Sequence, residues 1–169
     1  GLSGSLPFEL RNLTELRYLI VEEGDTAGPI PPEYGDLLEL IILDLNFNRL
    51  TGPIPESIYG LPTLFQLDLN DNALTGTIST SIGNLQFLQF VQLEVNQLTG
   101  TIPESMGNIQ YLQVLELFGN QLSGTMPVGV CQNRDMANGF ISDLTVDCDS
   151  SDNPRVECSI PDCCTDCPF

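Results

Sequence analysis

A chain of 169 residues, 41% of them apolar, can bury a core and is too hydrophobic for a disordered acidic tail. Its 23 acidic residues stand against 5 arginines, with no lysine and no histidine, for a formal charge of −18. That field repels nucleic acid and anionic membranes. The missing side chains exclude imidazole acid–base catalysis, Schiff bases, P-loop phosphate binding and histidine-ligated zinc.

From the N-terminus onward the chain repeats itself. Gly4, Gly28, Gly52, Gly76, Gly100 and Gly124 lie 24 residues apart without a slip. Between them runs the frame L-x-x-L-x-x-L-x-L-x-x-N-x-L. It reads Leu37, Leu40, Leu43, Leu45, Asn48, Leu50 in one copy and Leu61, Leu64, Leu67, Leu69, Asn72, Leu74 in the next. Two more copies follow, from Leu85 to Leu98 and from Ile109 to Leu122.

The L-x-L core of each copy predicts a short half-buried strand. One such unit cannot bury its own apolar edge, so the units must stack with their strands side by side in a parallel sheet. Asn48, Asn72, Asn96 and Asn120 sit where the chain leaves the strand, and their amides can bond backbone groups up the stack. The glycines permit close approach between coils, and the Ile-Pro that follows fixes an extended stretch. Return segments such as Glu56–Gly60 are too short for an α-helix and predict a turn or 3-10 segment.

LTGPIP at 50–55 and LTGTIP at 98–103 carry a resemblance. The chain resembles the plant-type leucine-rich-repeat family of receptor-kinase ectodomains and polygalacturonase-inhibiting proteins, over residues 2 to about 127. The resemblance implies an α/β solenoid, a right-handed superhelix with a parallel β-sheet on one face and 3-10 turns on the other. Three positions depart from it: Ser79 replaces the proline, and Gly24 and Thr26 replace the Asn and Leu of the first copy, loosening the ladder there. The family's N-terminal cysteine cap is absent, so the expected first coil exposes core edge, as in a fragment, a processed form or a chain covered by a partner.

The expected organisation is five repeats over 2–121, a truncated sixth over 122–146 and a cysteine-rich cap over 147–169. Leu144 and Val146 resume the strand pattern 29 residues after Leu115 and Leu117, so a loop from Val128 to Asn138 must absorb the excess. Cys131, Cys148, Cys158, Cys163, Cys164 and Cys167 all fall in this C-terminal part, an even set that reads as disulfides of open pairing. The tail is similar to caps of algal (diatom-like) repeat proteins. Asn12-Leu13-Thr14 is a glycosylation sequon. With the cysteines it points to an extracellular chain, secreted or the ectodomain of a membrane protein.

Residues between the frame leucines project from the sheet about 4.8 Å from their counterparts in the next coil. The columns read Ile20, Asp44, Asp68, Gln92, Glu116, then Glu22, Asn46, Asn70, Glu94, Phe118, and Tyr18, Ile42, Gln66, Phe90, Val114. Glu23, Phe47, Asp71, Val95 and Gly119 lie beside them, and Arg17 and Arg49 are the expected positive charges of this face. Tyr18, Ile42, Asp44, Asp68, Phe90, Glu94, Glu116 and Phe118 are the expected contact surface for a protein, peptide or glycan ligand with cationic groups. Ca²⁺ is the one cofactor such carboxylates suggest. The same row of acids also reads as a solvated surface that keeps the chain soluble.

A flat sheet of solvated acids lacks the cleft that glycosidase chemistry needs, so no catalysis is expected. The run Asp147, Asp149, Asp152 has no EF-hand glycine or closing Glu, and reads as a solvated cap loop. Two alternatives remain. Thr75-Gly-Thr77, Thr99-Gly-Thr101 and Ser123-Gly-Thr125, expected to stack in register, resemble the Thr-x-Thr arrays of ice-binding solenoids. A repetitive acidic surface also suits a structural or adhesive matrix protein.

Overall fold

The computed structural model describes residues 2–134, 141–147, 156–158 and 163. Six three-residue strands, Tyr18–Ile20, Ile42–Asp44, Gln66–Asp68, Phe90–Gln92, Val114–Glu116 and Asp143–Thr145, form one parallel sheet in chain order. The first five pair with a constant offset of 24 residues, as in Leu43↔Leu67 and Leu67↔Val91. Each strand marks one coil, numbered one to six below.

Frame leucines fill the space between coils. Leu37, Leu40, Leu43, Leu45, Leu64, Leu67, Leu88 and Leu112 are fully buried. Each such side chain contributes on the order of 2 kcal/mol by leaving water. Leu13, the counterpart of Leu37 in the first coil, is 51% exposed.

On the return path the 3-10 turns Phe8–Asn12, Pro32–Asp36, Glu56–Gly60, Thr80–Asn84 and Glu104–Asn108 stack on one another. A proline precedes four of them in extended conformation and sets their entry. Ser79 does the same work by other means. Its hydroxyl accepts a hydrogen bond from Ser81 N and caps the fourth turn.

The asparagine ladder forms as expected. Asn96 Oδ1 accepts from Leu74 N at 2.9 Å, and its Nδ2 donates to the carbonyls of Leu69, Leu93 and Glu94. Asn48, Asn72 and Asn120 repeat this pattern. Gly24, in place of the first Asn, is not merely a gap in the ladder. A Cβ there would lie 2.8 Å from Leu2 O and 3.0 Å from Asn48 Oδ1, so only glycine fits.

Two expectations need correction at the C-terminal end. The segment after Pro127 is no open loop: Val128–Arg134 is an α-helix packed on the turn Glu104–Asn108. Gly107 and Gly129 make this possible, since a Cβ on Gly107 would sit 2.7 Å from Gly129 Cα and one on Gly129 3.0 Å from Gly107 Cα. The helix absorbs the longer repeat, and Asp143–Thr145 then pairs with Val114–Glu116 in register, Leu144 opposite Leu115. Cys131 on the helix is bonded to Cys163, and Cys158 is also disulfide-bonded. Cys148, Cys164 and Cys167 lie outside the described residues.

Asp147 is also no solvated loop residue. Its Oδ1 accepts from Gly119 N and its Oδ2 from Asn120 N, both at 3.1 Å. In earlier coils the same two N–H groups bond backbone carbonyls of the next coil, as Phe47 N and Asn48 N do with Asn70 O and Asp71 O. The Asp147 carboxylate takes the place of those carbonyls for coil five. Asp147→Ala is expected to lower stability by about 2 kcal/mol, measured by denaturant unfolding, whereas Asp143→Ala should change little. Equal effects would mean that the carboxylate does not seal the ladder. Asp149 and Asp152 lie outside the described residues.

A second, broken sheet lines the edge after the asparagines. Its strands include Asp25–Gly28, Arg49–Gly52, Thr99–Thr101 and Gln121–Thr125. Here the offset is 22 residues, with Thr99 beside Thr77 and Ser123 beside Thr101. The Thr-Gly-Thr triplets therefore do not stack in the expected register. Gly76, Gly100 and Gly124 hold φ of 83°, 82° and 89°, which breaks the extended run inside each triplet. The hydrogen bond Thr99 N to Gly76 O then sets residues before one glycine against residues after the last.

Candidate functional site

The strand face is built from the outward positions of coils one to five. Asp44 and Asp68 are direct cross-strand partners, as the columns require. The expected solvated row of acids is not what results. Asp44, Asp68 and Glu94 retain only 8%, 5% and 6% of their exposure. Coils one strand-spacing apart let neighbouring side chains cover each other, and amides from the same or the adjacent column close over the carboxylates. Asn46 Nδ2 donates to Asp68 Oδ2 at 3.4 Å, Asn70 Nδ2 to Glu94 Oε1 at 2.7 Å and Gln92 Nε2 to Glu116 Oε2 at 2.8 Å.

Desolvation without cations raises these carboxyls. Burial pushes Asp68 up to about 6, and the neighbouring Asp44 carboxylate adds to the effect. Burial pushes Glu94 up to about 7, against the opposing pull of backbone N–H and the Asn70 amide. Asp44 is raised by burial as well. The premise that solvated acids rule out acid catalysis therefore falls, since these groups are desolvated.

Among the described residues, no cation pairs with these acids. Arg49 begins a strand of the second sheet and pairs with Asp25 at 2.8 Å, not with the acid columns. Arg17 approaches Glu39 at 3.9 Å. The strand's exit explains the change for Arg49. Glu23, Phe47, Asp71 and Val95 all take positive φ, near 50°, turning the chain so that the ladder asparagine points inward and the residue after it leaves the face. For Val95 this left-handed backbone is strained, and its side chain is left exposed.

The other expected contact residues frame the acids. Tyr18 is exposed on coil one, Ile42 and Phe90 are half-buried, and Phe90 packs on Phe65 with ring centroids 5.3 Å apart. Glu116 and Phe118 are half-buried on coil five. The structure thus brings Asp44, Asp68 and Glu94 into one network, while Tyr18 and Phe118 lie at its two ends. Asn46, Asn70 and Gln92 were not singled out by the sequence. The available signal was the alternation of amides and acids within the columns. Among the described residues, no three acidic or cysteine side chains converge as a metal-binding group.

With this geometry in view, the relatives can be placed. The Leucine Rich Repeat family model matches residues 39–61, 63–85 and 111–133. A chain of the BIR3–SERK2 complex from Arabidopsis thaliana is 34% identical, covering 84% of this chain and 73% of that one, with a TM-score of 0.66. The chain is a leucine-rich-repeat protein. This leucine-rich-repeat chain also matches the plant peptide hormone receptor RGFR1 in complex with RGF2 at 36% identity and TM-score 0.80, over 90% of its own length. It spans only 23% of that receptor chain. A plant ice-binding protein shares the fold at 24% identity and TM-score 0.61, covering 90% of this chain and 64% of that one. No curated protein sequence matches the chain. Several of the matched leucine-rich-repeat structures are plant receptor ectodomains, and among the described residues no helix is long and apolar enough to cross a membrane.

Proposed function

We propose that this leucine-rich-repeat chain is an extracellular recognition module, non-catalytic, secreted or part of an ectodomain, that holds a peptide or protein segment across the strand face. Tyr18, Ile42, Asp44, Asp68, Phe90, Glu94, Glu116 and Phe118 are its contact surface. The observation that carries this reading is the pairing of exposed and half-exposed aromatic and aliphatic groups with a central cluster of desolvated acids. Surfaces of that kind take partners with apolar anchors around a cationic group. The peptide-hormone receptors it resembles support the same class of ligand.

Panning a displayed library of extended peptides tests it. Peptides enriched on the wild-type chain should carry basic residues flanked by apolar ones, and their binding should weaken with salt. Tyr18→Ala with Phe90→Ala is expected to reduce capture by roughly tenfold or more, an effect of over about 1.4 kcal/mol. Unchanged capture by that variant removes the strand face from consideration. Lysine at Asp44 or Asp68 is a poor test, because both positions are buried.

A second reading has its own observation. Thr75, Thr77, Thr99 and Thr101 are all exposed on the second sheet, an array that suits ice binding. Against it, Thr99 Oγ1 already donates to Gly76 O and Ser123 Oγ to Gly100 O, and the register is oblique. Thermal hysteresis lost in Thr77→Glu with Thr101→Glu would establish this reading; wild-type protein without hysteresis dismisses it.

A further inference from the structure

The hydrogen bonds of the strand face do not balance. Asp68 Oδ1, Glu94 Oε2, Asn46 Oδ1 and Asn70 Oδ1 are withdrawn from solvent and accept no hydrogen bond of normal geometry. Asp68, Asn70 and Glu94 are each more than nine-tenths buried. Backbone N–H groups of Asn70 and Glu94 pull on the nearby carboxyls, but they do not complete bonds to these oxygens. The amides of Asn46 and Asn70 each direct one N–H at Asp68 and Glu94, and no N–H of the cluster reaches these four oxygens. Once the two carboxyls are ionised, all four orphaned atoms are acceptors. They belong to coils two, three and four, at adjoining column positions.

A buried acceptor left without a donor costs stability, so this surplus identifies what is missing. The missing group brings several N–H donors, no acceptor and a positive charge. A guanidinium meets all three conditions: it has five donors in a planar fork that matches carboxylate geometry. An ammonium offers three donors from a single point and cannot span two carboxylates and two amide oxygens as well. Calcium needs six to eight converging oxygens, and the described residues offer no converging metal group. Arg49 pairs with Asp25, and Arg17 approaches Glu39 rather than this cluster. Phe118 lies in the same column one coil beyond Glu94 and is half-buried, and an aromatic ring at such a position can flank a guanidinium.

We propose that Asp68 and Glu94, with the side-chain oxygens of Asn46 and Asn70, form a clasp for one arginine side chain of the bound peptide. The inference rests on the strand-face reading for its peptide, but the clasp itself can be probed alone. Occupation by a cation favours ionised carboxylates. Because Asp68 and Glu94 hold their protons to about 6 and about 7, arginine entry releases protons and is favoured by higher pH. The charged groups acting on them are the Asp44 and Glu116 carboxylates, which oppose ionisation and strengthen the same trend.

The test titrates isotope-labelled protein with N-acetyl-arginine methylamide and, in parallel, with its citrulline analogue, which has the same shape and no charge. Side-chain amide NMR signals of Asn46 and Asn70 report occupancy. At about pH 8 the arginine probe is expected to move both signals and to bind at least roughly tenfold more tightly than citrulline. That preference should shrink near pH 5. Asp68→Asn with Glu94→Gln keeps the shape and should abolish the preference while the melting curve stays cooperative. Equal binding of the two probes, unmoved Asn46 and Asn70 signals, or a preference that survives in the double variant would each overturn the clasp. So would calcium alone moving the same signals. If Tyr18→Ala with Phe90→Ala loses peptide capture while Asp68→Asn with Glu94→Gln retains it, the clasp fails and the strand-face reading stands.

Discussion

Asn96→Ala is expected to destabilise the chain by about 3 kcal/mol and lower its melting temperature by roughly 6–12 °C. The side chain is small and polar, and its loss leaves only a modest cavity. The cost comes from what it leaves unpaired. Leu74 N loses its acceptor, and the carbonyls of Leu69, Leu93 and Glu94 lose a shared donor, in a position only 8% exposed. Water reaches such a site poorly, so the backbone groups pay the full desolvation penalty. Asn84→Ala is the control, because Asn84 is exposed at the end of a 3-10 turn and should change stability by under about 0.5 kcal/mol. Matching melting temperatures for the two variants would show that the ladder contributes nothing beyond ordinary polar surface.

The second large effect is on pH dependence. Asp68 and Glu94 are raised in the folded chain to about 6 and about 7, from 3.8 and 4.5. Between the two sets of values the folded state holds protons that the unfolded state has released, so stability falls as pH rises through that window. The penalty is absent below about pH 4 and complete above about pH 7. For the coupled pair it amounts to on the order of 3 kcal/mol. The wild type is therefore expected to melt several degrees lower at about pH 8 than at about pH 5. Repulsion among the remaining acids contributes to the same trend, so the informative quantity is a difference. Asp68→Asn with Glu94→Gln should raise the melting temperature near pH 8 and raise it clearly less near pH 5, with the difference vanishing below about pH 4. Parallel curves for wild type and variant would mean that these two carboxyls are not desolvated.

Much of the architecture was legible without coordinates because it depends on local periodicity. Leucines at fixed offsets can be buried only by stacking, and the stacking then dictates which residues form columns: Asp44 beside Asp68, Leu144 beside Leu115. The asparagine ladder was readable for the same reason. A side chain that carries both donors and acceptors, placed where a strand ends, has few other uses. Spacing also revealed that the sixth coil was longer. It did not reveal a helix at Val128–Arg134, because seven residues with Gly129 among them carry little helical signal. That helix is fixed by packing against Gly107.

The candidate site was legible as a set of residues but not as an environment. Sequence alone determined that acids, amides and aromatics share the outward face, because strand alternation and a constant repeat leave them nowhere else. Tertiary structure decided whether those acids stand in water. Solvation depends on how neighbouring coils cover one another, and at strand spacing a carboxylate flanked by Asn46 or Asn70 loses its solvent while gaining fewer donors than it has lone pairs. The same packing carried Arg49 off the face, through a left-handed residue at the end of each strand that no periodicity announces. Positions follow from repetition along the chain; burial, protonation and the unmet need for a donor follow only from contacts between coils.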